Sequence, residues 1–337
     1  MHLHIDHGIV AGKAGQKLVI DPSRKSHGFS DAIVTHAHSD HALIGANACT
    51  YHLTEATRDL VAHKIPKKGL VQCKEWKRAW HSNGMDVELH SAGHILGSSQ
   101  VALNDGEERA VVTSDFKLQD SIIQKGAEPL ECDTLVIETT FGLPCFSFPP
   151  REQVYHEMGS WIRRMIGLGQ FVVLAGYATG KAQELTAVCN EYAGEIPVVH
   201  ERIFSNNQVY DRHGARLGDF LLLNHNLKDA NVAILPPTLA TPNVLQALSF
   251  SLNRPVSSAL ATGWNFKQHF DRIFPLSDHA DFAQLLEYVE RSRAKRVLCM
   301  HGYAREFAGY VHRRKGIASR ALEGVSQTVL EEFSVHA

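Results

Sequence analysis

Short apolar runs separated by polar breaks fill the first part of the chain, a pattern typical of many short buried strands. Apolar residues alternate with glycines up to Lys17–Ile20, which predicts a hairpin-like start. Further apolar runs predict strands at Ala32–Val34, Arg109–Thr113 and Thr134–Ile137. Each of these runs is followed closely by a histidine or a carboxylate. Candidate functional residues are therefore concentrated at the ends of the predicted strands.

The pattern changes from about residue 149 onward. Gln153–Ile166 carries apolar residues at helical spacing, and Phe171–Ala175 is a continuous apolar run. Strands predicted at Ile196–Val199 and Val232–Leu235 alternate with helical segments. Alternating strands and helices predict a parallel sheet with helices on both sides.

The strand at Ala32–Val34 leads directly into the densest chemical motif, Thr35-His36-Ala37-His38-Ser39-Asp40-His41. His36 and His38 flank one residue, so an extended backbone points both rings the same way. Asp40 and His41 follow round the turn, where they can serve a second ion. Histidines with a carboxylate suit zinc and are accepted by manganese or iron. The alternative is a histidine-rich surface loop, since the chain has 21 histidines.

Two later residues extend this candidate ligand set. His94 lies between Gly93 and Gly97, which let the backbone approach a neighbour closely, and Asp115 follows the strand Arg109–Thr113. Each alone is an ordinary loop histidine or turn aspartate. Together and in this order, they predict a site for two metal ions.

Composition indicates a globular protein, because 44% of the 337 residues are apolar and 21% are charged. No apolar run is long enough for a membrane span, and the first residues do not resemble a signal peptide, so we expect a cytoplasmic protein without membrane contact. The six cysteines are scattered, which favours reduced thiols. A net charge of −2 argues against coating nucleic acid by bulk attraction, but not against a nuclease.

The motif Thr35–His41 resembles the signature of the metallo-β-lactamase fold, and three later motifs narrow the likeness to its β-CASP nucleases. These motifs are Glu138-Thr139-Thr140-Phe141-Gly142, the turn Leu276–Phe282 with His279, and His301-Gly302. The resemblance implies a four-layered αββα metallo-β-lactamase fold in the α/β class. Residues 1–148 and 270–337 would form that domain, and 149–269 an inserted parallel α/β β-CASP cap.

The same resemblance implies a role for each motif residue. His36, His38 and His94 would hold one divalent ion, Asp40, His41 and His301 the other, and Asp115 would bridge both, with zinc expected and manganese or iron as alternatives. A hydroxide between the ions would attack a phosphodiester. His279 would be the general acid, oriented by Glu138, with simple phosphate binding as the alternative for His279. Asp21 would hold the histidine loop in position, although an aspartate there can also cap a turn.

Two further stretches are candidates for substrate contact. The loop Gly176–Lys181 is not a Walker A motif, since it is one residue short and Ala182 replaces the required Ser or Thr. Lys181, at the start of a predicted helix, could still bind phosphate, as could Ser98. Basic residues between Lys64 and Arg78 are interleaved with Trp76 and Trp80, which suits either a solvated face or a nucleic-acid strand.

A closer likeness is to bacterial β-CASP proteins described as DNA ligase-associated exonucleases, also labelled RNA 3′-end processing factors. It is carried by Ala92–Ser98, Glu138–Pro144, Gly180–Gln183 and His301–Tyr303. It implies an exonuclease acting on single-stranded DNA in repair, in association with a DNA ligase and a helicase. The alternative is an RNA exonuclease or endonuclease, because a histidine at the position of His301 is associated with RNA enzymes. A small-molecule metallo-hydrolase is disfavoured by the region from about residue 150 to 270 and by the matches at Glu138, His279 and His301.

Overall fold

A computed structural model describes residues 1–25, 28–45, 48–67, 69–223, 227, 229–264 and 269–322. The chain forms two compact units. The first comprises Met1–Leu118, Gly126–Ser147 and His279–Ala337, and the second Gln119–Lys125 and Phe148–Asp278. The domain division at 149 and 269 stays a prediction, and residues 323–337 of its last segment lie outside the described residues.

The first unit contains two sheets. Sheet one has six strands, paired in sequence order: β1 (His2–Ile5), β2 (Ile9–Lys13), β3 (Gln16–Ile20), β4 (Asp31–Ile33), β5 (Thr50–Leu53) and β6 (Leu70–Cys73). The first three strands form the antiparallel start that the sequence predicts, and β3 to β6 are parallel.

Sheet two has seven strands: β7 (Trp80–Ser82), β8 (Met85–Ser91), β9 (Ser99–Asn104), β10 (Arg109–Val112), β11 (Thr134–Glu138), β18 (Arg296–Met300) and β19 (Ala318–Ala321). Their order across the sheet is β19-β18-β11-β10-β9-β8-β7. Strands β10, β11, β18 and β19 are parallel, whereas β7 to β10 are antiparallel.

The two faces of sheet two belong to different cores, because successive side chains of a strand point to opposite sides. Val101 and Leu103 of β9 pack with Leu18 and Ile33 of sheet one. Ala102, between them, packs instead with residues of α6 (Phe282–Ser292) and α7 (Ala304–Lys315). Sheet one, sheet two and these helices therefore form successive layers.

The second unit is built on sheet three: β12 (Phe171–Ala175), β13 (Val198–Val199), β14 (Leu221–Leu222), β15 (Val232–Leu235), β16 (Val256–Thr262) and β17 (Arg272–Pro275). Their order is β14-β13-β15-β12-β16-β17, and every pair is parallel. Its helices are α2 (Arg151–Gly167), α3 (Lys181–Val188), α4 (Glu201–Arg212) and α5 (Pro242–Leu252), with a π-helical turn at Cys189–Ala193.

Helices cover both faces of sheet three. Residues of α2, α3 and α4 pack with Val172 and Leu174 of β12, while Leu245 and Leu248 of α5 pack on the face that contains Val173. The predicted α/β class, with a parallel sheet between helices, is confirmed. The complete four-layered arrangement with a β-CASP insertion stays a prediction.

The first unit also contains a short helix, α1 (Glu55–Leu60), which is followed by a 3₁₀ turn at Ala62–Lys64. Thr54 is its N-cap, since its side chain accepts a hydrogen bond from the Thr57 N–H. Pro66 accounts for the end of the helical segment, because a proline disfavours helical geometry in the residue before it, and Ile65 is extended.

Among the described residues, no helix is both long enough and apolar enough to cross a lipid bilayer. All six cysteines are described and are free thiols, as their scattered spacing predicts.

Leu285→Ala tests the core between sheet two and its helices. Leu285 is fully buried in α6, so we expect the free energy of unfolding to fall by about 2–5 kcal/mol. Denaturant titration would measure it. The matched control is Glu287→Ala in the same helix, whose exposed ion pair with Arg291 should be worth less than about 1 kcal/mol. Equal losses in the two variants would contradict this packing.

Candidate metal centre

The predicted ligands lie where strands end. The motif Thr35–His41 follows β4, and His94 lies in the turn between β8 and β9. Asp115, Glu138 and His301 stand at or just after the carboxyl ends of β10, β11 and β18, which are adjacent parallel strands. Neighbouring parallel strands end at the same edge of a sheet, so these three side chains meet there although they are far apart in sequence.

Asp21 fixes the histidine loop. Its Oδ1 accepts from the Thr35 N–H at 2.8 Å, and its Oδ2 accepts from Thr35 Oγ1 at 2.7 Å and from His41 Nδ1 at 2.8 Å. Ser114 Oγ, next to Asp115, also donates to Oδ2 at 3.2 Å. One buried carboxylate therefore joins the histidine loop to the strand end that carries Asp115. It also leaves His41 Nε2 as the ring nitrogen that can bind an ion.

One group of candidate ligands consists of His36, His38, His94 and Asp115. His94 Nε2 lies 3.1 Å from His38 Nδ1, and Asp115 Oδ2 lies 3.6 Å from His36 Nε2 and 3.8 Å from His94 Nε2. All but His38 are buried.

A second group consists of His41, His301 and the same Asp115. His41 Nε2 lies 3.6 Å from Asp115 Oδ2 and 3.5 Å from Asp40 Oδ2. Asp115 thus faces both groups with one oxygen atom. The structure brings together all seven residues predicted to bind metal.

The donor atoms fit metal ions. Zinc binds imidazole nitrogen at 2.0–2.1 Å, so two nitrogens on one tetrahedral ion lie roughly 3.3 Å apart, close to the distances observed. Within the described part of the chain, the buried Nε2 atoms of His36 and His301 have no hydrogen-bond partner. Burial lowers the pKa of both rings, so they carry a lone pair rather than a second proton. A buried imidazole nitrogen with an unused lone pair is suited to bind a metal ion.

The carboxylates near the second group stabilise positive charge on the His41 ring. Burial lowers its pKa, but the carboxylates of Asp115 and Asp21 outweigh burial and raise the pKa to about 10. Burial raises the pKa of Asp40, yet His41 and His38 bring it below its usual value. Carboxylates gathered round one buried ring stabilise positive charge there, which either a proton or a divalent ion can supply.

His279 lies beside the candidate metal ligands and pairs with a buried acid. Its Nδ1 lies 2.9 Å from Glu138 Oε1, and its ring centroid is 4.7 Å from that of His94. Burial raises the pKa of Glu138, but His279 and a hydrogen bond from the Thr140 N–H outweigh burial and bring the pKa below its usual value. Glu138 therefore stays ionised, orients the ring and stabilises a proton on Nδ1.

The turn that carries His94 is held from within. Ser98 Oγ accepts from the His94 N–H at 3.1 Å and from the Ile95 N–H at 3.2 Å, and Lys117 Nζ donates to the carbonyls of Gly93 and His94. Gly93 has φ +67°, and a Cβ there would lie 2.6 Å from Ala127 N. Ser98 is 1% exposed, so the predicted phosphate contact gains no support, whereas a role in shaping the turn does.

Lys181 likewise gains no support as a phosphate ligand. It does begin α3, but its side chain is buried and Nζ donates to Asp278 Oδ1 at 2.8 Å. The basic and aromatic segment between Lys64 and Trp80 is different. Lys64 Nζ donates to Ala37 O at 3.4 Å, and Trp76, 46% exposed, donates from Nε1 to Ser99 Oγ at 3.5 Å. This segment therefore borders the loops that carry His36, His38 and His94.

Three residues that hold the candidate site residues in place were not predicted from the sequence. Thr35 joins Asp21 to His36, because its Oγ1 lies 3.1 Å from His36 Nδ1, and Lys117 holds the His94 turn. Thr139 Oγ1 donates to the carbonyls of Met300 and His301, which ties two motifs together. Thr35 and Thr139 each directly follow or precede a predicted site residue, a signal that was available. Lys117 had no comparable signal.

No family model matches the chain, but several known proteins are similar to it in sequence. A probable DNA ligase of Opitutus terrae is 32% identical over 311 residues, or 86% of this chain and 28% of that protein. A transcription termination factor FttA of Methanothermobacter thermautotrophicus is 27% identical over 58% of this chain and 36% of that protein. A probable RNase MJ4 of Methanocaldococcus jannaschii is 26% identical over 58% of this chain and 52% of that protein. The chain belongs to the β-CASP metallo-β-lactamase family.

The β-CASP chain spans only part of these relatives, between 28% and 52% of their lengths. A crystal structure of a protein of unknown function from Enterococcus faecalis V583 has a TM-score of 0.63 and covers 96% of this chain and 97% of its own. Sequence identity to it is 11%, so that likeness shows the fold alone.

Asp21→Ala should weaken metal binding by about 10–100-fold, because it frees the His41 ring and the histidine loop. Competition with a chromogenic zinc chelator would measure the affinity. Asp31→Ala is the matched control, since Asp31 accepts from His52 at the same 2.8 Å but neither residue is in a candidate ligand group. The account of Asp21 fails if both variants bind zinc as the parent does.

Proposed function

We propose that this protein is a phosphodiesterase that uses two divalent metal ions, most suitably zinc, with manganese or iron as alternatives, to hydrolyse nucleic acid. The observation that carries the proposal is the shared carboxylate. One oxygen of Asp115 lies 3.6 Å from His36 Nε2 and 3.6 Å from His41 Nε2, so it faces two ligand groups at once. Two-metal sites of this kind are typical of phosphatases and nucleases.

Each ligand group would hold one ion. His36, His38 and His94 would bind the first, and Asp40, His41 and His301 the second, with Asp115 common to both. Bound there, divalent ions supply an activated water at neutral pH and offset the negative charge of a phosphodiester. The chain's own part is to hold these ligands in place through Asp21 and Thr35.

His279 is the group that would protonate the leaving oxygen when the P–O bond breaks. It is adjacent to the ligand His94, and its side chain is about a quarter exposed, at 24%. Glu138, which is fully buried and ionised, holds its Nδ1. A histidine with one nitrogen fixed by a carboxylate is suited to general acid catalysis.

A nucleic-acid substrate is supported by the segment beside the ligand loops. Residues 60–80 contain six Lys and Arg residues against one Glu, in a chain of net charge −2. Trp76 is half exposed within it, and Lys64 contacts the backbone between His36 and His38. Basic side chains that neutralise phosphates and an aromatic ring that stacks on bases are what a single strand requires.

Single-stranded DNA is the substrate we favour, degraded from an end during DNA repair. The similarity that covers 86% of this chain is to a protein named as a probable DNA ligase, which supports functional association with a ligase. Association with a helicase is part of the same proposal. RNA is the second candidate, because relatives matched over 58% of the chain are named as a termination factor and a probable RNase. A cytoplasmic location and a β-CASP cap at 149–269 belong to the same proposal.

Asp115→Ala should abolish hydrolysis and reduce bound metal together, because both ligand groups lose a shared oxygen. Elemental analysis and a strand-degradation assay on the same preparation would measure both. Asp86→Ala, which removes an exposed carboxylate paired with His81, serves as the control. An Asp115→Ala protein that retained activity would rule out the two-metal scheme.

Matched end-labelled DNA and RNA oligomers, with zinc or manganese supplied and a chelator as control, would test the substrate. We expect a ladder of shortened products from single-stranded DNA, lost on chelation, with the label revealing the polarity. Preferential degradation of RNA would indicate a role in RNA processing instead of DNA repair. No degradation of either strand under any metal would contradict the proposed activity.

A further inference from the structure

A network of buried charges lies in the second unit, around the starts of α2 and α3. Lys181 and Glu184 are 2% and 1% exposed, and Arg151 and Asp278 are 8% each. Arg151 Nε donates to Glu184 Oε1 at 3.0 Å, and Lys181 Nζ donates to Asp278 Oδ1 at 2.8 Å. Tyr155, also buried, donates to Glu184. Two cations and two anions thus balance one another away from water.

Such a network is a costly way to stabilise a fold. Removing two charges from water costs free energy that their attraction repays only with good geometry, and apolar replacements are often at least as stable. In some proteins, buried charges of this kind serve to specify one defined arrangement. The contacts of these four side chains show which part of the chain they hold in place.

The network holds the two residues that immediately precede His279. Arg151 Nη1 donates to the Ser277 carbonyl, and Lys181 binds the Asp278 side chain. After His279, the Ala280 N–H donates to Phe116 O at 2.7 Å, and Asp281 caps α6 by accepting from the Gln284 N–H at 3.0 Å. The backbone is therefore fixed on both sides of the histidine that pairs with Glu138.

We propose that Lys181 and Arg151 are positioning residues for His279, acting through Asp278 and Ser277 to keep its ring where it can protonate the leaving oxygen. The inference rests on the proposed function. It gives Lys181 a role in turnover without contact with phosphate. A residue that served folding alone could make the same contacts. The test must therefore distinguish a role in positioning His279 from a role in stability alone.

Substrates with different leaving groups distinguish the positioning role from a purely structural role. When a P–O bond to a nucleotide sugar breaks, the departing alkoxide takes a proton from His279, whereas p-nitrophenolate is a stable anion and departs without one. A variant that misplaces His279 should therefore slow release of a nucleotide but spare a p-nitrophenyl ester of thymidine 5′-phosphate. A variant that only destabilises the protein would lower both rates equally.

The experiment compares these two substrates in the metal-loaded protein. Lys181→Met should lower kcat for oligonucleotide hydrolysis by about 10²-fold, the cost of a displacement of roughly 1 Å, with KM and bound metal unchanged. Hydrolysis of the p-nitrophenyl ester should change little. Lys181→Arg should restore much of the rate. Lys295→Met is the matched control, because Lys295 pairs with Asp133 at the same 2.8 Å but is 80% exposed.

The double variant Lys181→Met/Asp278→Leu covers the risk that the single variant does not fold. It removes a cation and an anion together, so no unpaired charge is left, and it should show the same selective loss. Equal losses on both substrates, or no loss on oligonucleotides, would overturn the inference.

His279→Ala, measured in parallel, distinguishes the two proposals. It should lose about 10²–10⁴-fold on oligonucleotides and little on the p-nitrophenyl ester, with metal retained. If it shows this selectivity and the Lys181 variants do not, the positioning role fails alone. If His279→Ala loses both activities equally, or loses metal, the acid role fails and the inference with it.

Discussion

The site depends on one buried carboxylate. Asp21 receives hydrogen bonds from the Thr35 backbone and hydroxyl, from His41 and from Ser114, all between 2.7 and 3.2 Å. Those partners come from the histidine loop and from the residue next to Asp115. Asp21 therefore ties the loop after β4 to the end of β10, together with a direct hydrogen bond between Thr35 Oγ1 and Ser114 Oγ at 2.6 Å. Because the two candidate ligand groups share Asp115, loosening this junction would disturb both.

The layered fold explains why candidate ligands from distant parts of the chain meet. Sheet two places β10, β11 and β18 side by side and parallel, although more than 150 residues separate the last two in sequence. Their ends deliver Asp115, Glu138 and His301 to one edge. Thr139 then ties Glu138's strand to His301 through two carbonyls. The fold thus supplies proximity, and short hydrogen bonds supply orientation.

The sequence indicated the residues of the candidate site better than their surroundings, for a physical reason. His36 and His38 stand in a dense motif after an apolar run, where spacing alone limits what they can do. Lys181 looked like a phosphate ligand because a helix start is an anion site, but its partner Asp278 lies 97 residues away. Burial and such distant pairing are set by tertiary structure, which no local pattern encodes. The same holds for Ser98, whose hydroxyl is used within its own turn.

Anomalous diffraction at the zinc absorption edge from zinc-loaded crystals would show directly whether two ions share Asp115. We expect two peaks per chain. One should lie within bonding distance of His36, His38 and His94, the other of Asp40, His41 and His301, with Asp115 bound to both. A single peak, or zinc bound away from Asp115, would contradict this arrangement.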